Sequence, residues 1–381
     1  MTLIPGILYL MFLGYFLLLS FYLWHWNRIV PLAVDEDENQ ANISVVIPVR
    51  NEAPGIIRCI DSILAQNFRG TFDIIIVDDH STDETVKIVR ERYDLTDHVK
   101  LVLLSDKSEK AEGKKAALKA GIAEAPREVI ITTDGDCVYS PLWLATLSSY
   151  FTPSVQIVTG PVVYPEGTKM LQGFQALDLL SLILATAAGI QSRSYFLGNG
   201  ANLAFRKSAF IAVDGYSGNE GFVSGDDLFL IEKITGHFGD HSIRYAKSPD
   251  AAVLTQPQET LRTFLSQRLR WASKNGALGD RRVFYLWSFL WVVNASVVVL
   301  LILGILGYVP LLMVGIILYI KMMLEGIALY QVAQYFSMKS VMRWFPWAFF
   351  LNVLYVVAIG LMTILAPSFK WKGRDGMIAE S

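Results

Sequence analysis

The stretch DIIIVDDHSTDETVKIVRERY (Asp73–Tyr93) decides the fold. Its first part, Asp73–Asp79, is an unbroken apolar, β-branched run that reads as a strand. Its last part, Asp83–Tyr93, reads as a helix, with Thr82 or Asp83 as its N-cap. The same unit recurs on both sides. ISVVIPV (Ile43–Val49) precedes GIIRCIDSILAQ (Gly55–Gln66), and KLVLLS (Lys100–Ser105) precedes KKAALKAGIAEA (Lys114–Ala125). EVIITTDGDC (Glu128–Cys137) precedes PLWLATLSSY (Pro141–Tyr150), and VQIVTGPVV (Val155–Val163) reads as a fifth strand. Near-continuous apolar strands alternating with helices predict an α/β fold, a parallel sheet covered on both faces. Such sheets bind ligands beyond the carboxyl ends of their strands. The polar clusters RNE (Arg50–Glu52), DDHSTD (Asp78–Asp83) and DGDC (Asp134–Cys137) all follow strands, so they point to one site.

The flanks differ from this middle. The chain of 381 residues is 53% hydrophobic, too apolar for an ordinary soluble protein. A net charge of −2 gives no global basic field, and nucleic acid is not expected as a partner. Cys59 and Cys137 are too few for a disulfide framework and read as buried thiols. Leu3–Trp26 is long enough to span a bilayer and lacks the basic start of a signal peptide, so it reads as a retained anchor. Phe284–Ile320 holds two spans with Gly307–Pro310 as the turn, and Phe345–Ala366 a last one. The expected plan is a transmembrane helix (1–27), a linker (28–42), a cytosolic α/β domain with interfacial helices (43–280), about three transmembrane helices (284–366) and a tail (367–381). Gln172–Ile190 is apolar but interrupted by Asp178, which suits lying at the interface better than spanning.

Asp134 and Asp136 lie one residue apart at a strand end, where extended backbone points them to the same side. A divalent cation, Mg²⁺ or Mn²⁺, would resolve their repulsion; an acidic surface turn is the plainer reading. Asn51 and Glu52 are able to bond a polar ring, or simply to form a capped loop before Pro54. Asp79 is not needed as a cap and is free to hold ribose hydroxyls, whereas an Asx turn accounts for His80 and Ser81. Lys114 starts a helix, where lysine is mildly disfavoured unless an anion such as a diphosphate arrives; a solvated lysine is the alternative. In GDD (Gly225–Asp227), capping explains one aspartate and leaves Asp227 free to act as a general base. Gln267, Arg270 and Trp271 of QRLRW share a helix face, either at the headgroup level of a bilayer or as a platform for a sugar and a phosphate.

Taken in order, PVRNE, VDDHSTD, DGD, GNGANLAFRKSAF (Gly198–Phe210), GDD and QRLRW resemble the membrane-anchored family 2 glycosyltransferases, the group with cellulose synthase, hyaluronan synthase and ceramide glucosyltransferase. The resemblance covers about Ile43 to Trp271. It implies a GT-A type fold, a Rossmann-like mostly parallel sheet with helices on both faces, joined to transmembrane helices. It also implies that Pro48, Asn51, Glu52 and Asp79 line the nucleoside pocket and that Lys114 lies near the donor. Asp134 and Asp136 would serve the nucleotide and its metal, Asp136 most directly. Asp227 would be the base, and Gln267, Arg270 and Trp271 would flank the acceptor and the diphosphate. Many relatives carry Glu before the base; here it is Asp226.

The expected activity is therefore inverting transfer of a sugar from a nucleotide-sugar donor, a UDP-sugar in this reading, to a hydroxyl of a lipid, lipid-linked or glycan acceptor. Membrane lipids are expected partners, and an integral protein of the cell or inner membrane is expected, its active site facing the cytosol. A processive polysaccharide synthase is the alternative within the family. A non-catalytic nucleotide-sugar scaffold would lack carboxylates, and none is missing; a nucleotidyltransferase leaves QRLRW and the apolar flanks unexplained. Arg28 agrees with the positive-inside rule, while four spans would put the basic tail Lys370–Arg374 outside, against it.

Overall fold

A computed structural model describes residues 3–32, 41–106, 113–218, 225–273, 279–365, 368–371 and 374–377. In chain order the elements are α1 (Leu3–Arg28), β1 (Asn42–Val49), α2 (Ile56–Leu64), β2 (Thr71–Asp78), α3 (Thr85–Tyr93), β3 (Val99–Leu103), α4 (Lys114–Glu124), β4 (Val129–Thr132), β5 (Val138–Tyr139), α5 (Trp143–Ser149), β6 (Ile157–Thr159) and β7 (Val162–Val163). There follow α6 (Met170–Ser192), β8 (Leu203–Arg206), α7 (Lys207–Ala212), α8 (Asp226–Phe238), β9 (Ile243–Tyr245), β10 (Val253–Leu254), α9 (Leu261–Ala272), α10 (Arg281–Ile305), α11 (Leu311–Tyr335), α12 (Phe345–Leu365), β11 (Ser368–Trp371) and β12 (Arg374–Met377). They form two compact units: an α/β unit of Ile29–Pro165 and Phe196–Gln256, and a helical unit of Met1–Arg28, Glu166–Tyr195 and Pro257–Ser381. Thus α6 and α9, inside the expected 43–280 domain, cluster with the apolar helices.

The α/β unit is built on a seven-stranded sheet of order β3-β2-β1-β4-β8-β6-β9. Strands β1, β2, β3 and β4 run parallel, and β8 runs antiparallel between β4 and β6. The centre is dry: Ile43, Val45, Val46 and Ile47 of β1 are 0% exposed. Because β1, β2 and β4 point the same way, Asn51, Asp79 and Asp134 leave the sheet at one edge. Helix α4 returns antiparallel to them, which brings its first residue, Lys114, to that edge. Gly121 makes this possible. A Cβ there would lie 2.5 Å from Val46 Cγ1 and 2.8 Å from Val77 Cγ2.

Two expectations change. The run Val155–Val163 is two strands, because Pro161 has no N–H for a ladder and a Cβ on Gly160 would sit 2.3 Å from Asn202 Nδ2. β6 stays in the main sheet, while β7 joins β10 and β5 in a three-stranded sheet. The segment Leu203–Arg206, not foreseen as a strand, is the antiparallel β8.

In the helical unit, Met170–Ser192, Arg281–Ile305, Leu311–Tyr335 and Lys339–Leu365 are long and apolar enough to cross a membrane. The 26-residue α1 reaches about 39 Å at ~1.5 Å per residue, longer than a ~30 Å hydrocarbon core. Helix α6 packs against α1, α11 and α12, and 78% of its most apolar window is buried within the protein. Lys321 pairs with Glu325 at 2.5 Å and the Tyr15 hydroxyl donates to the same carboxylate, so this pair lies among helices, with Lys321 2% exposed. Strands β11 and β12 pair antiparallel.

Gly121→Ala adds helix propensity of about 1 kcal/mol but overpacks the sheet contact by about 1–3 kcal/mol. We expect a net loss, read as a lower thermal midpoint of the purified protein. A midpoint at or above wild type would show that α4 does not need this close approach.

Candidate active site

The loop after β1 is laced to the loop after β2. The Asn51 Oδ1 accepts from the Thr82 N–H at 2.8 Å, and the Asn51 N–H donates to Ser81 Oγ at 3.0 Å. The Glu52 N–H donates to Thr85 Oγ1 at 2.9 Å, and the Ala53 N–H to Asp83 Oδ2 at 3.1 Å. Asn51 and His80 hold φ of 56° and 57°, a left-handed conformation that Asn and His tolerate better than β-branched residues. Asp83 also accepts from the Thr85 N–H at 3.0 Å, but α3 starts later than expected, so its N-cap is Glu84, which makes no side-chain capping bond, rather than Thr82 or Asp83. Pro48 lies within β1, opposite Val77.

Asp79, 2% exposed, accepts from the Gly113 N–H at 3.0 Å and faces His80 Nδ1 at 3.2 Å. That bond ties β2 to the entry of α4. The Lys114 ammonium, one residue on, donates to Asp134 Oδ1 at 2.6 Å. The DGD turn backs onto the first loop: a Cβ on Gly55 would meet Asp136 Cα at 3.2 Å, and one on Gly135 would meet Glu52 Cγ at 3.2 Å. Asp136 accepts from Thr255 Oγ1 at 3.0 Å. Burial raises the Asp136 pKa, and the Asp134 charge adds to it.

Asp227 stands in the first turn of α8. Its Oδ2 accepts from the Gly200 N–H at 3.1 Å and its Oδ1 from the Leu228 N–H at 2.9 Å. A Cβ on Gly200 would lie 3.2 Å from Asp226 Oδ2, 3.6 Å from Asp227 Cβ and 3.7 Å from Lys114 Nζ. Those three side chains therefore meet at one point. Burial alone would depress the Lys114 pKa, but Asp134, Asp226 and Asp227 together hold it above the ordinary lysine value. Asp226, whose role the sequence left open, is 6% exposed and belongs to this cluster.

Asn51, Glu52, Asp79, Lys114, Asp134, Asp136 and Asp227 are thus linked within the α/β unit, by direct bonds or through one intervening residue. Among the described residues no group of three or more His, Cys, Asp or Glu side chains is arranged to hold an ion. The pair Asp134 and Asp136 still fits one, because Mg²⁺ or Mn²⁺ is commonly held by one or two carboxylates plus substrate phosphates. Burial is the larger cause of the raised Asp136 pKa, and the Asp134 charge that adds to it is the part a cation would relieve.

Gln267, Arg270 and Trp271 lie on α9 in the helical unit. There the sequence reading missed Arg268, a spacer in the Q-x-x-R-W pattern. Arg268 is 3% exposed. Its Nε donates to Asp178 Oδ2 at 2.8 Å and its Nη1 to Gln267 Oε1 at 2.9 Å, and its guanidinium lies 4.1 Å from the Trp271 ring centroid. Asp178, which interrupted the apolar run of α6, is the partner of this buried charge. Gly113, Gly200 and Thr255 were also missed. They act through backbone N–H groups or one hydroxyl, and such roles leave little mark on residue type.

Residues 44–210 match the family described as glycosyl transferase family 2, and residues 129–371 match glycosyl transferase family group 2. Glycosyltransferase AglE of Haloferax volcanii is 30% identical over 37% of this chain and 46% of its own length. An undecaprenyl-phosphate 4-deoxy-4-formamido-L-arabinose transferase of Pectobacterium carotovorum is 32% identical over 31% of this chain and 36% of its own length. The chain therefore spans less than half the length of these two relatives. A mannosyltransferase from Pyrobaculum calidifontis, solved with GDP-Man and Mn²⁺, superposes with a TM-score of 0.61 at 19% identity, covering 94% of this chain and 96% of that one. The likeness shows the GT-A fold. With more than half of its residues matched, the chain belongs to glycosyl transferase family group 2.

Proposed function

We propose that the protein transfers a sugar, with inversion, from a nucleoside diphosphate sugar to a hydroxyl of a lipid or lipid-linked acceptor at the membrane. The observation that carries this reading is the meeting of Lys114, Asp226 and Asp227 around Gly200, with Lys114 bonded to Asp134. One end of that cluster suits a diphosphate and the other a hydroxyl proton. The two N–H bonds to Asp227 fix its carboxylate, which removes the acceptor proton as the oxygen attacks the anomeric carbon. The anomeric C–O bond to the diphosphate breaks in the same displacement. Lys114 is positioned to shift from Asp134 toward the departing phosphate oxygens. Asp136, with Asp134, would hold Mg²⁺ or Mn²⁺, which when bound neutralises charge on the leaving diphosphate. Asn51, Glu52 and Asp79, with Pro48 beneath them, take the nucleoside. The motif resemblance gives Gln267, Arg270 and Trp271 the acceptor and the diphosphate.

A UDP-sugar remains our reading of the donor; GDP-Man in the mannosyltransferase keeps guanine in the test. The lipid acceptor draws support from the undecaprenyl-phosphate transferase relative and from the apolar helices. We place the α/β unit on the cytosolic side, where nucleotide sugars are made. Helix α6 begins after β7 and ends before β8, both in the α/β unit, so one crossing by α6 would divide that unit across the bilayer. This favours the interfacial reading of α6 and leaves α1, α10, α11 and α12 as spans.

Purified full-length protein with Mn²⁺, a panel of labelled UDP- and GDP-sugars and a bacterial lipid extract should yield a labelled, lipid-extractable product. Label found solely in long water-soluble polymer would instead favour the processive synthase. Asp227→Asn should lower turnover by about 10²–10⁴-fold while UDP or GDP binding by calorimetry changes little; wild-type turnover would remove Asp227 as the base. Asp136→Asn should abolish the dependence of nucleotide affinity on Mn²⁺, and an unchanged Mn²⁺ response would move the ion elsewhere.

A further inference from the structure

The base and the donor loop are joined by a buried bridge outside the residues so far given a role. Thr132 ends β4 and Thr133 follows it directly before Asp134, and they are 2% and 0% exposed. The Thr133 hydroxyl donates to the Ala201 carbonyl at 2.8 Å. A hydroxyl has one proton and a carbonyl can only accept. The second contact of Thr133 Oγ1, with the Tyr139 hydroxyl at 2.7 Å, therefore has Tyr139 as donor. Thr132 Oγ1 lies 3.3 Å from the Gly200 carbonyl and 3.4 Å from that of Leu203. The next group along is the Gly200 N–H, which holds Asp227 Oδ2 at 3.1 Å.

The far side of this loop is also fixed. Asn202, 0% exposed, donates to the Pro161 and Ala251 carbonyls at 2.7 and 2.8 Å and accepts from Trp143 Nε1 at 3.2 Å. Asn199 Oδ1 accepts from the Ala201 N–H at 3.0 Å. The β4–β8 ladder ends at the Thr132–Leu203 pair, and beyond it the two threonine hydroxyls are the side-chain bonds that tie the Gly200–Ala201 backbone to the residues before the DGD turn.

We propose that Thr133, assisted by Thr132 and Tyr139, is a positioning residue for the reaction: it ties the Asp134–Asp136 turn to the Gly200–Ala201 backbone and so sets where Asp227 meets the acceptor hydroxyl. The inference rests on the reading of Asp227 as base. Removing the Thr133 hydroxyl frees the Ala201 carbonyl and lets the Gly200 N–H drift, while Asp134, Asp136 and the nucleoside loops keep their own bonds. Turnover therefore suffers and donor binding does not.

The test uses full-length protein in nanodiscs, with Thr133→Val, Thr133→Ser, Tyr139→Phe and Asp227→Asn side by side. UDP and GDP with Mn²⁺ are the binding probes, and turnover is followed with whichever nucleotide sugar of the panel is used. Thr133→Val should lower kcat about 10- to 100-fold, the scale of a misplaced reacting group, with donor KM and UDP or GDP affinity held within about twofold. Thr133→Ser, which keeps the hydroxyl, should recover most of kcat. Tyr139→Phe should lower kcat by a smaller factor, and it stands in if Thr133→Val has a collapsed thermal midpoint. The proposal is overturned if Thr133→Val turns over normally, if nucleotide affinity falls in step with kcat, if Thr133→Ser is as impaired as Thr133→Val, or if Tyr139→Phe, standing in, turns over at the wild-type rate. An Asp227→Asn enzyme with full turnover refutes the base itself. An inactive one beside a normal Thr133→Val refutes the bridge alone.

Discussion

Three carboxylates of one small region, Asp134, Asp226 and Asp227, surround the Lys114 ammonium, which is bonded to Asp134. Like charges gathered away from water repel unless something else holds them. Here the holding is done by the backbone. The parallel strands deliver the loops to one edge, Gly121 lets α4 approach the sheet, and N–H groups of Gly113, Gly200 and Leu228 fix Asp79 and Asp227. The α/β unit thereby gathers these carboxylates at one edge of its sheet.

Lys114 is central to that balance. It bonds one carboxylate and lies within the field of two more, which raises its pKa despite burial. A permanently charged ammonium can exchange one anionic partner for another without a change of protonation. Moving from Asp134 to a phosphate oxygen would leave Asp134 free for a metal, so arrival of the donor and completion of the metal site would be coupled through one side chain.

The alternation of apolar runs and helices, and the polar clusters after strands one, two and four, were legible because burial on both faces leaves a near-continuous signature. The break at Gly160–Pro161 was less legible. Val155–Val163 has strand composition throughout, and the close approach of Asn202 that forces the split is a tertiary event. Asp178 shows the same limit. In sequence it looks like a flaw in an apolar helix, and only the buried guanidinium of Arg268 explains it. Side chains proposed to act on substrate announce themselves by type, as Asp134, Asp136 and Asp227 do. Positions that work through a backbone N–H, such as Gly113 and Gly200, do not.

The helical unit bears on whether one sugar or many are added. Export of a growing chain requires a succession of hydrogen-bonding groups along a path of about 30 Å. Of the polar residues in the apolar segments, Lys321 and Glu325 bond each other and Tyr15, inside the helices rather than along a groove. Lys321 is further enclosed, 4.9 Å from the Phe349 ring centroid. Asn294 turns its amide onto the Leu290 carbonyl of its own helix at 2.8 Å, which leaves its Oδ1 as a buried acceptor without a partner. Trp287 Nε1 and Trp344 Nε1 are also buried without a hydrogen-bond partner. The Lys321–Glu325–Tyr15 contacts join α11 to α1 and set the Phe349 ring of α12 beside the ammonium, which supports the proposed acceptor at the membrane surface over the processive alternative.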